Sequence, residues 1–122
     1  MRAWLLTASL MGALAVICGA FAAHGLQGRL DSDARQIFET GARYHMYHAL
    51  AMGLSAFAMR GEAISRARWA AMLFLAGSVL FSGSLYLLAL SGNVAFAYVT
   101  PVGGFAFIAG WIMLGLAALK QP

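Results

Sequence analysis

The side chains with the widest chemistry in this chain are its three histidines, His24, His45 and His48. Imidazole exchanges a proton near neutral pH and is the commonest metal ligand among side chains. His45 and His48 are three residues apart, so on a helix they share a face. Tyr44 and Tyr47 stand beside them, and Ser82, Ser84, Tyr86, Tyr98 and Thr100 add hydroxyl groups further along. Three kinds of chemistry are open to such a set. Neutral histidines can hydrogen-bond Ser, Tyr or backbone groups and so tie helices together. They can line a small polar cavity that binds a ligand or relays protons. Or His24, His45 and His48 can hold a metal or a haem, with Met46 and Met52 nearby.

The metal reading has the least in its favour. There is no HExxH, no CxxCH and no paired Glu-x-x-His of a di-iron bundle. The expectation is therefore no cofactor, with His24, His45 and His48 as weak metal candidates only. A haem- or copper-binding redox protein ranks third among the functions. Catalysis is no better supported. Asp31, Asp33 and Glu39 fall in one segment and Glu62 in another, and no carboxylate pair converges on a histidine. GxSxG and phosphate-binding loops are absent. Gly103-Gly104 at a helix start can offer N–H groups to an anion, yet a glycine pair in a membrane helix reads first as a packing device. No enzyme is expected.

The elements that position these residues follow from composition. The chain has 122 residues, 62% of them hydrophobic and 10% charged. Soluble domains are about half apolar and about a quarter charged. A chain this short cannot bury the surplus within itself, so lipid must cover it. The fold class is all-α: an integral membrane four-helix bundle in a single domain. The spans run from about 4 to 23, 44 to 59, 69 to 90 and 101 to 119. The first also resembles a signal peptide, with Arg2 before it and Ala20-Phe21-Ala22 at its end. It exceeds the usual signal core of about 7–15 residues, so an uncleaved helix is expected. Cys18 lies within it and reads as a small buried hydrophobe.

Residues 31–43 form an amphipathic segment leading into the second span, with Asp31, Ser32 and Asp33 as cap and first-turn charges. Arg35, Glu39 and Arg43 follow at i, i+4, a carboxylate between two guanidiniums. No proline or loop separates this segment from span two. One continuous helix is expected, with any bend at Gly41.

The net charge of +4 does not indicate nucleic acid. The basic residues sit at the ends of apolar runs and orient the chain in a membrane. Arg2, Arg60, Arg66, Arg68 and Lys120 share one side, against Arg29, Arg35 and Arg43 on the other. Both termini are thus expected in the cytoplasm. His24, Tyr44, His45, Tyr47, His48, Ser82, Ser84, Tyr86 and Thr100 then fall in the non-cytoplasmic half, His48 near the depth of Ser82 and Ser84. Small residues should pack the bundle tightly: Ala8 with Gly12, and Ala15, Gly19 and Ala23, on the first span; Gly77, Ser78 and Gly83 on the third; Gly103, Ala106 and Gly110 on the fourth. Pro101 suits a first helical turn.

Four segments in order resemble a known family. They are Gly19-Ala20-Phe21-Ala22-Ala23-His24-Gly25-Leu26; Phe38 with Tyr44-His45-Met46-Tyr47-His48-Ala49-Leu50; Leu80-Phe81-Ser82-Gly83-Ser84-Leu85-Tyr86; and Thr100-Pro101-Val102-Gly103-Gly104 through Gly110-Trp111. Together they are similar to the domain-of-unknown-function 423 family of small bacterial inner-membrane proteins. That family usually carries Gln at His45 and Gly at Ala22. An amide is a poor ligand for transition metals, so the resemblance leaves His24 and His48 as the pair of interest. It implies a fold and an inner-membrane location and brings no activity with it. The expected function is therefore a non-enzymatic role in structure, oligomerisation or partner contact, with the lipid bilayer as surroundings. A homo-oligomer or a membrane-protein partner fits that role. The alternative is binding or permeation of a small molecule, ion or proton through the polar cluster.

Overall fold

Backbone N–H and C=O groups have no water to bond in hydrocarbon, and the chain answers with helix almost throughout. The computed structural model describes residues 1–122 and has five α-helices and no strands. They are α1 (Arg2–Ala20), α2 (Ser32–Phe57), α3 (Ile64–Gly77), α4 (Gly83–Ser91) and α5 (Thr100–Ala118). A π-helical turn, Phe21–Gly25, extends α1, and a second, Ser78–Ser82, carries α3 into α4 without a break. The result is a bundle of four helical rods. Three of them, Arg2–Gly25, Gly61–Ser91 and Val94–Ala118, are long and apolar enough to cross a membrane.

The fourth rod, α2, is one unbroken helix of 26 residues. At 1.5 Å per residue it is about 39 Å long. Asp31 is its N-cap, accepting a hydrogen bond from the Ala34 N–H at 2.8 Å. Its first half carries Asp33, Arg35, Glu39 and Arg43, so it is less apolar than the others. Its place in the bundle explains why that is tolerated. It packs on α1 along one side and on α3 and α4 along the other, and it has more buried residues than any other helix. The charged residues stay at the surface, Asp33 and Arg43 exposed and Arg35 and Glu39 partly so.

One expectation about α2, the bend at Gly41, is refined, and its charges stay unpaired as a solvated face would have them. Gly41 makes no break in the helix. A Cβ there would lie 2.9 Å from the Tyr86 ring, so the glycine serves close approach. Neither Arg35 nor Arg43 pairs with Glu39; the one ion pair is Lys120–Glu62, 3.9 Å apart at the opposite end. Asp33, Arg35 and Glu39, toward the start of α2, form a solvated face, where pairing would add little anyway; Arg43 lies a turn deeper.

Small residues set the helix contacts. Ala8 meets Gly53 and Gly12 meets Ala49, which fixes α1 antiparallel to α2. The inward line on α1 continues through Ala15 to Ala22, both buried; Ala23 is exposed and Gly19 has open space around its Cα. Cys18 is half-buried and packs beside Ala22, Leu26, Phe38 and Ala89. A larger core joins Ala8, Ala51, Met52, Ala70, Phe74 and Phe107. On α5, Gly103 lies against the backbone of Phe81, and Gly110 against the Phe74 ring. Pro101 stands in the first turn of α5, as its fixed φ and missing N–H allow.

Candidate functional site

The polar residues of the bundle fall into three separate interhelical contacts. The deepest belongs to His48, 4% exposed. The next residue, Ala49, faces Gly12, near the middle of the Arg2–Gly25 rod, so His48 sits near the middle of the bundle's length. Its Nδ1 is 2.7 Å from the Tyr44 carbonyl oxygen. A carbonyl only accepts, so Nδ1 carries the proton and donates. The Trp111 Nε1–H then donates to His48 Nε2 at 3.1 Å. A ring with its proton on Nδ1 and a bare, accepting Nε2 is a neutral imidazole with both nitrogens engaged. Its face lies on the Phe107 ring, centroids 3.4 Å apart and planes within 7°. The contact thus ties α2 to α5.

His45 makes the second contact, one turn nearer the start of α2. Its Nδ1 is 2.9 Å from the Tyr86 hydroxyl on α4. The Tyr86 ring in turn packs on Phe38, centroids 4.6 Å apart. His45 Nε2 is buried without a partner. The third contact joins α4 to α5. Ser84 donates to the Phe81 carbonyl at 2.9 Å, and Thr100 donates to Ser84 at 2.6 Å.

The remaining sequence candidates lie apart from these. His24 is exposed on the π turn Phe21–Gly25 and joins no other histidine. Ser82 is 1% exposed, yet its hydroxyl has no partner; nor has that of Ser78 at the other end of the same π turn. Tyr44 and Tyr47 are exposed, their rings meeting edge to face at 5.6 Å. No group of three His, Cys, Asp or Glu side chains is placed to hold a metal ion. His48 has no nitrogen to spare, and His24 is elsewhere, so this donor set does not fit one.

Trp111 and Phe107 are the residues that reading the sequence for polar groups passes over. A signal for them exists. An indole N–H in lipid needs an acceptor, and Phe107 and Trp111 are spaced i, i+4 on one face. That face meets α2 at His48, whose Nε2 is the acceptor the indole finds.

Beside the His48 contact, a groove of about 520 Å³ opens between α2 and α5. Tyr44 and Tyr47 form one wall, and Gly104, Ile108 and Trp111 the other. Phe81 and Phe107 lie at its base, with His48 at the inner end. Tyr47, Ile108 and Trp111 are exposed, so the groove faces outward from the bundle.

Comparison with known proteins agrees with this architecture. The family described as "Protein of unknown function (DUF423)" matches residues 18–104, which include His45–Tyr86 and Ser84–Thr100 whole, and His48 but not Trp111. The UPF0382 membrane protein YwdK of Bacillus subtilis is 43% identical over 121 residues, 98% of each chain. A UPF0382 membrane protein of Staphylococcus aureus is 40% identical over 120 residues, again 98% of each. The UPF0382 inner membrane protein YgdD of Escherichia coli K12 is 39% identical over 119 residues, 98% of this chain and 91% of the relative. No solved structure matches. With a match over most of its length and relatives of this identity, the chain belongs to the DUF423 family of helical membrane proteins.

Proposed function

We propose that this is a non-enzymatic, multi-pass membrane protein that acts through contacts inside the bilayer, with lipid or with a membrane partner, and that its buried histidines lock helices together. One observation carries the reading: both nitrogens of His48 are satisfied within the chain. A proton relay or ligand-binding imidazole needs a nitrogen open to its cargo, and the most deeply placed histidine has none. The three contacts also lack a common cavity, since Ser84–Thr100, His45–Tyr86 and His48–Trp111 each join a different pair of neighbours. The excess of Lys and Arg on the side of the termini supports a cytoplasmic location for both.

The test is proton flux in liposomes carrying a trapped pH-sensitive dye. Vesicles with the protein are expected to leak protons at the rate of protein-free vesicles, and those with His48→Ala at the same rate. A wild-type flux above that background, lowered by His48→Ala, would overturn the reading in favour of permeation.

A further inference from the structure

We propose that the groove between α2 and α5 holds an acyl chain of an anionic phospholipid, and that Arg43 binds its phosphate. This rests on the reading that the protein works by contact within the bilayer and gives that contact a chemical identity. It begins with the depth of Arg43, which precedes His48 on α2 by five residues. At 1.5 Å per residue its Cα is about 7.5 Å from the level of His48. The hydrocarbon extends about 15 Å on each side of the midplane, so Arg43 starts well inside it.

Arg43 is exposed, and the only ion pair in the chain is Lys120–Glu62 at the other end. An unpaired guanidinium at such a depth is costly. Its long stem lets the head reach toward the interface, and the anion there is lipid phosphate, which a guanidinium grips with two parallel hydrogen bonds.

The groove supplies the other half of a lipid's chemistry. Arg43 and Tyr47 are spaced i, i+4, so the guanidinium rises from the helix face that forms one wall. On the opposite wall Gly104 has no side chain, which leaves the shallow end of the groove open. Below it the lining is aromatic and aliphatic, and the one imidazole, His48, already has both nitrogens occupied. A trough that is apolar along its depth, with the Arg43 guanidinium unpaired at its shallow end and Glu39 and Arg35 further out on the same face, matches one amphiphile: tail inward, phosphate at the rim. The leaflet is the one opposite the chain termini.

Native mass spectrometry of the full chain tests this, after extraction from vesicles of equal parts phosphatidylglycerol and phosphatidylcholine. Wild type is expected to retain one phosphatidylglycerol. Arg43→Gln should lower its retention about tenfold, the effect of losing one charge-assisted contact. Gly104→Leu, which fills the groove, should remove the adduct. Both variants should keep the wild-type thermal midpoint, which separates lost lipid from lost fold. Equal retention by wild type and Arg43→Gln overturns the proposal, as does wild type that carries no lipid. A dimer that Arg43→Gln dissociates overturns it too, and assigns the cation to a second copy. If lipid is absent while liposome flux stays at background, the contact-based function stands and only the lipid assignment falls. If flux rises above background, the function itself falls.

Discussion

Gly103→Ala is expected to destabilise the bundle by about 3 kcal/mol, more than any other single methyl group added to it. A Cβ at this position would fall on the backbone nitrogen of Phe81 and lie 2.7 Å from its Cα. Backbone cannot rotate aside as a side chain tip can. The neighbouring contact is equally limited, because a Cβ at Gly77 would meet the Phe107 ring and the Gly103 carbonyl oxygen at 3.1 Å. Helix α5 must therefore move outward from the π turn as a unit. That movement stretches Ser84–Thr100 and His48–Trp111, two of the hydrogen bonds that join α5 to its neighbours. Without a hydrophobic force between helices in lipid, close packing is what holds α5 in place. Denaturant titration in detergent micelles measures the loss. Gly104→Ala is the control: its Cβ would lie 3.9 Å from Phe81 Cδ2, ordinary contact, and stability should change by less than about 0.5 kcal/mol.

His48→Ala should cost about as much, roughly 3 kcal/mol, by a different route. The substitution leaves a void against Phe107 and Phe74, the aromatic rings that flank the imidazole. It also strands the Trp111 N–H, which has no other acceptor. The Tyr44 carbonyl suffers less, since it keeps its place in the backbone ladder of α2. The companion variant Trp111→Phe removes the N–H and keeps a ring, and should cost about 1 kcal/mol, the usual worth of a hydrogen bond between membrane helices. In the Trp111→Phe background His48→Ala should therefore cost about 1 kcal/mol less than in wild type.

The overall architecture can be read directly from the sequence. Charge-free runs at Trp4–Ala23, Trp69–Leu90 and Pro101–Leu119 each come within a residue or two of the roughly 20 that a bilayer requires, and each lies in a long apolar rod. The Asp31 cap and the absence of proline after it likewise announce the start and continuity of α2. What the sequence leaves out is which faces meet. Depth along the bilayer, counted in residues, places His48 level with Ser82 and Ser84 and suggests a hydroxyl partner. Rotation about the helix axes decides otherwise, because α5 presents Trp111 to His48 while Ser84 turns to Thr100. Helical periodicity is a weak guide to rotation here. All faces of a membrane helix are apolar, so no polar stripe marks the outside, as it does on a soluble helix. The same limitation hides the groove, which exists only where Gly104 and the tyrosines of α2 come opposite one another. His24 shows the reverse error: sharing their half of the bundle groups it with the other histidines, yet it joins neither, being exposed on the π turn.

His48 is a structural tie with both nitrogens spent inside the bundle. Nitrogen-15 NMR of the histidine side chains in lipid bilayers tests it directly, because protonated and bare ring nitrogens resonate far apart. For His48 the account predicts one neutral tautomer, with the proton on Nδ1 and Nε2 bare and hydrogen-bonded to the Trp111 indole. A His48 with its proton on Nε2, or on both nitrogens, would contradict it, since neither form can accept from Trp111.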